Sequence, residues 1–218
     1  PVAIWQARQA LKGEIGSHLS DRITHALATD ELCNTPSGRA LRNQCLYLGV
    51  AAASKDAVRV AAEQSFELNM TLSMGGLTAL NITSHAKRGV CLAAFYERWK
   101  DTSLVMEKWL SLEASAPFAG TAEHLKKLMH DPVFDPDNPN KLRSVLGAFA
   151  MANPVQFHKE DGSGYQFIAE QISEMDSRNP QIAARLALVL TRFAHIESGR
   201  RRLMRESLVW LSERQLSQ

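Results

Sequence analysis

The sequence predicts an all-α fold, a superhelical stack of antiparallel helix pairs of the armadillo/HEAT-like α-solenoid type. Apolar residues recur with the 3.6-residue period of helices along most of the 218-residue chain. No segment alternates apolar and polar residues as a half-buried strand would, and the weak candidate at 45–50 fits a helix better. Successive helix pairs start near Pro36, Met70, Thr102 and Pro139, about 32 to 37 residues apart. That spacing is typical of stacked helical hairpins.

About a dozen helices, joined by short turns, are expected from the apolar period and the capping residues. Those of the first half are expected at 2–15, 19–32, 37–53, 56–67 and 70–84. Those of the second half are expected at 86–100, 102–116, 121–129, 139–152, 164–175, 180–194 and 198–214. Thr35 and Ser54 are expected to cap the helices that follow them. Gly75-Gly76, inside one helix, indicates close packing or a break.

Three Asn-Pro pairs punctuate the segment 138–185, at Asn138-Pro139, Asn153-Pro154 and Asn179-Pro180. Asn is a strong N-cap, and Pro is preorganised for the first helical position. Each pair therefore predicts a sharply defined helix start. The loop 130–140, which contains the first of these pairs, carries three prolines and three aspartates.

Composition and charge exclude several classes of protein. The net charge is +2, so the chain has no general electrostatic attraction to nucleic acid or membranes. The short basic run at 200–202 is interpreted as a solvated helix face. No apolar run reaches the length of a transmembrane helix. The cysteines Cys33, Cys45 and Cys91 form no CxxC pair and are odd in number, which indicates reduced thiols and a cytoplasmic protein.

The sequence contains none of the motifs of self-contained catalysis. It has no H-E-x-x-H zinc motif, no G-x-S-x-G elbow and no GxxxxGK[ST] phosphate loop. No two of its seven histidines show the i, i+4 spacing that would hold a metal on one helix. We therefore expect no metal site and no catalytic residues in this chain.

Gln181 and Arg185 are the candidate binding residues. Because Asn179 caps their helix, the two side chains lie one turn apart on one face. Arg143 lies in the second turn of the helix capped by Asn138 and is a weaker third candidate. Cations near a helix N-terminus oppose the helix dipole, which an acceptor partner would offset. Either a surface carboxylate, Asp176 or Asp137, or a bound peptide carbonyl or carboxylate would be such a partner.

The run NPNKLRSVLGAFAMANPVQFHKEDGSGYQF, followed by SRNPQIAARL, resembles the C-terminal helical domain of the bacterial aminopeptidase N family. These enzymes are zinc-dependent alanyl aminopeptidases. The upstream segments RALRNQCL, LNMTLSMGGLTAL and FYERWKDTSLVMEKWLSLEASAP are similar to the same family. The resemblance covers nearly the whole chain. It implies a catalytic domain before Pro1 and one more short helix after Gln218, both outside these 218 residues.

The resemblance implies a single helical-repeat domain at 1–218, part of a larger hydrolase whose zinc, zinc ligands and catalytic base lie elsewhere on the polypeptide. The partners it implies are the catalytic domain of the same polypeptide and peptide substrates. The domain would enclose the active-site cavity, gate peptide access and contact the leaving-group side of the substrate through Gln181, Arg185 and Arg143. On its own the chain is predicted to be inactive. The alternative function is a free-standing helical-repeat adaptor that binds a protein or peptide on its concave face.

Overall fold

The computed structural model describes residues 1–214 and 216, and within them all regular secondary structure is helical, with no β-strand. Short 3₁₀ segments lie at Asp30–Cys33 and Leu190–His195, and a π-helical turn lies at Arg143–Gly147. The α-helices are α1 (Val2–His18), α2 (Ser20–Ala28), α3 (Pro36–Ala51), α4 (Lys55–Gln64), α5 (Met70–Leu80), α6 (Ala86–Trp99), α7 (Ser103–Ala114), α8 (Thr121–Leu128), α9 (Pro139–Leu142), α10 (Ala148–Ala152), α11 (Pro154–Phe157), α12 (Ser163–Asp176), α13 (Pro180–Ala187) and α14 (Ser198–Ser212). This confirms the all-α prediction.

Three of the predicted helices are wrong in detail because the backbone becomes extended at Thr29 in one of them and changes its hydrogen-bond period in the other two. The helix predicted at 19–32 ends at Ala28 and is followed by a 3₁₀ turn. The one predicted at 139–152 contains the π turn. The one predicted at 180–194 leaves the α conformation after Ala187 and becomes 3₁₀. No Gly or Pro marks the breaks after Ala28 and Ala187, and the π turn has only Gly147 at its end, so the apolar period did not reveal these changes.

The chain forms two compact units, of which one spans Ala3–Thr102. In this unit α5 packs against both α3 and α4. A Cβ at Gly76 would lie only 2.5 Å from the Ala61 carbonyl oxygen and 2.8 Å from the Ser65 nitrogen. Gly76 therefore lets the α5 backbone approach α4 closely. The interpretation of Gly75-Gly76 as a close-packing site is confirmed, and the helix continues through the pair without a break.

A closed polar network lies inside this unit. The buried Arg42 donates from Nε to Gln64 Oε1 at 3.0 Å and from Nη1 to the Leu27 carbonyl at 2.7 Å. Gln64 in turn donates from Nε2 to Asn43 Oδ1 at 2.8 Å and to the Leu72 carbonyl at 2.9 Å. The network joins α3 and α4 to the start of α5 and to the end of α2. The hydrogen bonds that Arg42 donates within this network offset the unfavourable free energy of removing its guanidinium from water.

The second unit comprises Pro1–Val2 and Ser103–Gln218. Its core contains edge-to-face contacts that join Phe149 to Phe157 and Phe167, at ring-centroid distances of 6.3 and 5.1 Å. The fully buried Asn153 accepts from the Gln156 nitrogen at the start of α11 and donates from Nδ2 to the Ala114 and Ala116 carbonyls. The middle Asn-Pro pair is therefore both a helix cap and a tie to the end of α7.

A second closed polar pair lies beside this aromatic core. The His158 Nδ1 and Tyr165 hydroxyl are 2.8 Å apart. Burial lowers the pKa of His158 to about 4, because the charged imidazolium is disfavoured where water is excluded. Arg200 donates from Nε to the His158 carbonyl at 2.6 Å and so joins the start of α14 to this turn.

Among the described helices, none is long and apolar enough to cross a membrane.

Candidate functional site

The caps at Asn138 and Asn179 set the starts of the two helical segments that carry the candidate residues. Asn138 Oδ1 accepts from the Asn140 nitrogen at 2.9 Å and from the Lys141 nitrogen at 3.5 Å. Asn179 Oδ1 accepts from the Ile182 nitrogen at 3.2 Å. In each case the following proline occupies the first helical turn. Both predicted caps are confirmed, and so is the predicted placement of Gln181 and Arg185 one turn apart at the start of α13.

Arg143 begins the π-helical turn Arg143–Gly147, which the sequence did not reveal. A π turn holds one more residue than an α turn, so it rotates the side chains that follow. A Cβ on Gly147 would lie 3.2 Å from Arg143 Cγ. The aliphatic stem of Arg143 therefore runs close over Gly147, where a larger residue would displace it. Turns of this kind are frequent at functional sites.

The structure brings Arg143, Gln181 and Arg185 together around one cavity of about 370 Å³. All three side chains are exposed. The cavity wall also contains apolar residues from the 139–151 segment, the end of α12, and α13 with the turn after it. These apolar lining residues include Leu142, Leu146, Met151, Met175, Ile182, Leu186 and Val189.

The side chains of Arg143, Gln181 and Arg185 make few hydrogen bonds and no ion pairs with the described part of the protein. Arg143 donates from Nη1 to the neutral side chain of Asn140 at 3.2 Å. Among residues 1–214 and 216, no hydrogen bond or ion pair holds the side chain of Gln181 or Arg185. The carboxylate partners considered from the sequence, Asp176 and Asp137, therefore do not engage these two side chains. Their donor groups are free to bind a ligand.

The cavity has a basic character. Its lining contains the two guanidinium groups of Arg143 and Arg185 and no aspartate or glutamate. A guanidinium is always charged and presents its donors in a planar fork that matches a carboxylate or two peptide oxygens. The arrangement can therefore bind acceptor groups above an apolar floor.

Within the part of the chain that the structure describes, no group of three or more His, Cys, Asp or Glu side chains can hold a metal ion.

Sequence reasoning found the polar residues of this cavity and missed its apolar floor. Leu142 and Leu146 lie on either side of the start of the π turn, whereas Met175 comes from the last turn of α12. Each position looks like an ordinary core residue in the helical pattern. Only the packing of three separate segments shows that they share one surface with Arg185.

A family model described as a domain of unknown function (DUF3458_C) with ARM repeats matches residues 1–218. The chain belongs to the DUF3458_C ARM-repeat family. Membership agrees with the helical fold, because ARM repeats are stacks of paired helices. The roughly 35-residue spacing of helix pairs in the sequence lies within the range of roughly 20–45 residues for stacked structural repeats in general.

Members of the DUF3458_C family occur within larger proteins. Aminopeptidase N of Escherichia coli (strain K12) is 32% identical over 219 residues, which cover 95% of this chain and 25% of that protein. Aminopeptidase N of Haemophilus influenzae (strain ATCC 51907 / DSM 11121 / KW20 / Rd) is 34% identical over 219 residues, covering 97% of this chain and 25% of that protein. The family matches the C-terminal region of such aminopeptidase N homologues.

A solved structure of the same kind shares the fold of this DUF3458_C domain. The crystal structure of Legionella pneumophila aminopeptidase A in complex with aspartic acid aligns with a TM-score of 0.86 at 25% identity. The alignment covers 95% of this chain and 26% of that one. The chain therefore spans about a quarter of the length of the relatives that it matches.

Proposed function

We propose that this domain is part of a zinc aminopeptidase that removes N-terminal amino acids from peptides. In that enzyme it encloses the active-site cavity, gates the access of peptides and holds the part of the substrate beyond the scissile bond. The observation that carries the proposal is the convergence of Arg143, Gln181 and Arg185 on one cavity. Its relatives, named aminopeptidase N, extend well beyond the region that matches this chain.

The zinc chemistry belongs, in this proposal, to another part of the parent enzyme. The described residues of this domain offer no cluster of metal ligands. A bound zinc would polarise the scissile carbonyl and activate a water molecule. This domain's own contribution is to orient the peptide and to keep bulk water away from the cavity, which strengthens the electrostatic interactions inside.

Arg185 and Gln181 are suited to bind the peptide backbone of the leaving group. The guanidinium donates to a carbonyl or carboxylate, and the Gln181 amide both donates and accepts, so the pair can match the alternating groups of an extended peptide.

The free cysteines Cys33, Cys45 and Cys91 support a reducing compartment, and we place the parent enzyme in the cytoplasm.

The test is a comparison of two substrates in the full-length enzyme that contains this domain. Arg185→Ala should raise the KM for tripeptides severalfold more than the KM for a single-residue arylamide, because the arylamide has no peptide backbone beyond the scissile bond. Arg192→Ala is the matched control, since Arg192 is exposed in the same unit but does not line the cavity. Equal changes for the two substrates in Arg185→Ala would contradict the proposed contact.

A further inference from the structure

The cavity combines an apolar floor with a basic rim that no acidic residue neutralises. Its lining includes seven large apolar side chains, two guanidinium groups and no carboxylate. Met151 is 72% exposed although it is a large apolar residue on this wall. An exposed apolar side chain beside an unpaired guanidinium indicates a surface that is completed by a ligand with both characters.

The volume limits the size of that ligand. At about 370 Å³ the cavity is near the lower end of the range for ligand pockets, roughly 300–1,000 Å³. It has room for one or two amino-acid residues. A carboxylate bound by Arg185 would form short, charge-assisted hydrogen bonds, which are about twice as strong as bonds between neutral groups. A cationic side chain would instead meet two like charges with no acid to screen them.

We propose that this cavity selects short peptides whose residue beyond the scissile bond has an apolar side chain and ends in a free α-carboxylate. The carboxylate is bound by Arg185, with Arg143 adding to the positive field, and the apolar side chain lies against Met151. The inference rests on the proposed function and adds a substrate class to it. Backbone contacts alone would treat a peptide acid and its amide alike, whereas this arrangement distinguishes them.

The experiment compares dipeptides in the full-length enzyme. The substrates are alanyl-leucine, its C-terminal amide and alanyl-lysine, and the readout is kcat/KM. We expect the acid to exceed the amide by about tenfold, the equivalent of about 1.4 kcal/mol. In Arg185→Gln this ratio should fall to within about twofold, and in Arg185→Lys it should be partly retained, because the charge remains and the planar fork is lost. Alanyl-lysine should be the poorest of the three with the unsubstituted enzyme.

Three outcomes separate this inference from the proposed function. An acid-to-amide ratio near one in the unsubstituted enzyme, or a ratio that survives Arg185→Gln, overturns carboxylate selection. If kcat/KM for the acid and kcat/KM for the amide fall by the same factor in Arg185→Gln, the contact of Arg185 with the peptide backbone is supported and carboxylate selection is overturned. If Arg185→Gln changes kcat/KM for neither dipeptide, and Arg185→Ala changes KM equally for the tripeptide and the arylamide, both the inference and the proposed function fail. Thermal unfolding of each variant shows whether it has folded.

Met151 tests the apolar half of the proposal. Met151→Ala should lower the preference for alanyl-leucine over alanyl-glycine severalfold, and Met151→Leu should restore it. Leu188→Ala is the matched control, because Leu188 is 59% exposed and does not line the cavity. A leucine-to-glycine preference that is unchanged in Met151→Ala, or that falls equally in Leu188→Ala, overturns the contact with Met151.

Discussion

Arg42 and Arg185 have the same side chain in opposite surroundings. Arg42, in the Ala3–Thr102 unit, is buried, and its guanidinium is held by Gln64 and by the Leu27 carbonyl. Arg185, in the other unit, is exposed in a cavity and has no bonded partner among the described residues. The first arginine is satisfied by the fold, and the second has its donors available for another molecule.

The difference lies in the neighbours that each helix supplies. In the first unit α3, α4 and α5 pack closely enough for one polar network to join them, and Gly76 permits that approach. The lining around Arg185 is apolar except for Arg143 and the amides of Asn179 and Gln181, and no described side chain accepts a hydrogen bond from Arg185. Stability should therefore depend on Arg42, whereas substrate binding should depend on Arg185.

The largest effect is expected from breaking the closed network. Arg42→Met should lower the free energy of unfolding by about 2–3 kcal/mol, because Gln64 and the Leu27 carbonyl lose a charged donor while they remain buried. The measurement is urea unfolding of the 218-residue chain. Arg185→Met is the matched variant, with an expected change within about 0.5 kcal/mol, as for other surface substitutions. Equal losses in the two variants would abolish the distinction between a structural and a binding arginine.

The close approach of α5 to α4 should be the next most sensitive feature. Gly76→Ala should destabilise the chain by about 1–3 kcal/mol, because the new methyl group meets backbone atoms that cannot move independently. Gly89→Ala is the control, since a Cβ there meets nothing within 4 Å. It should instead stabilise α6 by up to about 1 kcal/mol. Thermal unfolding midpoints that move in the same direction for both would contradict the packing argument.

The smallest of these effects concerns the start of α13. Asn179→Ala removes the side-chain acceptor for the Ile182 nitrogen and should destabilise the chain by about 1 kcal/mol. Asn179→Asp keeps an acceptor at the same place and should be nearly neutral, as measured by the same urea unfolding. If the aspartate variant loses as much stability as the alanine variant, the cap does not define the start of this helix.

The sequence predicted the parts of the fold that depend on local signals. The Asn-Pro pairs and the caps Thr35 and Ser54 all act within one turn, so they could be read directly. The π turn at Arg143–Gly147 could not, because its residues continue an ordinary helical pattern. Likewise, the prediction of one domain at 1–218 stays a prediction.

The same distinction between local sequence signals and tertiary packing applies to the candidate site. Gln181 and Arg185 were placed correctly because one cap and one helical turn decide where they lie. The apolar floor was missed because Leu142, Met175 and Val189 belong to segments that only tertiary packing brings together. The absence of a carboxylate partner for Arg185 is likewise a property of the packed cavity and not of the local sequence.

The central claim is that Arg185 binds the substrate beyond the scissile bond, and the most direct test is a crystal structure. The full-length enzyme that contains this domain would be crystallised with a non-hydrolysable tripeptide analogue. We predict a guanidinium nitrogen of Arg185 within about 3.2 Å of a peptide oxygen on the leaving-group side. An analogue bound at the active site whose leaving-group oxygens are all paired elsewhere, with Arg185 directed into solvent or bonded to a protein carboxylate, would contradict it.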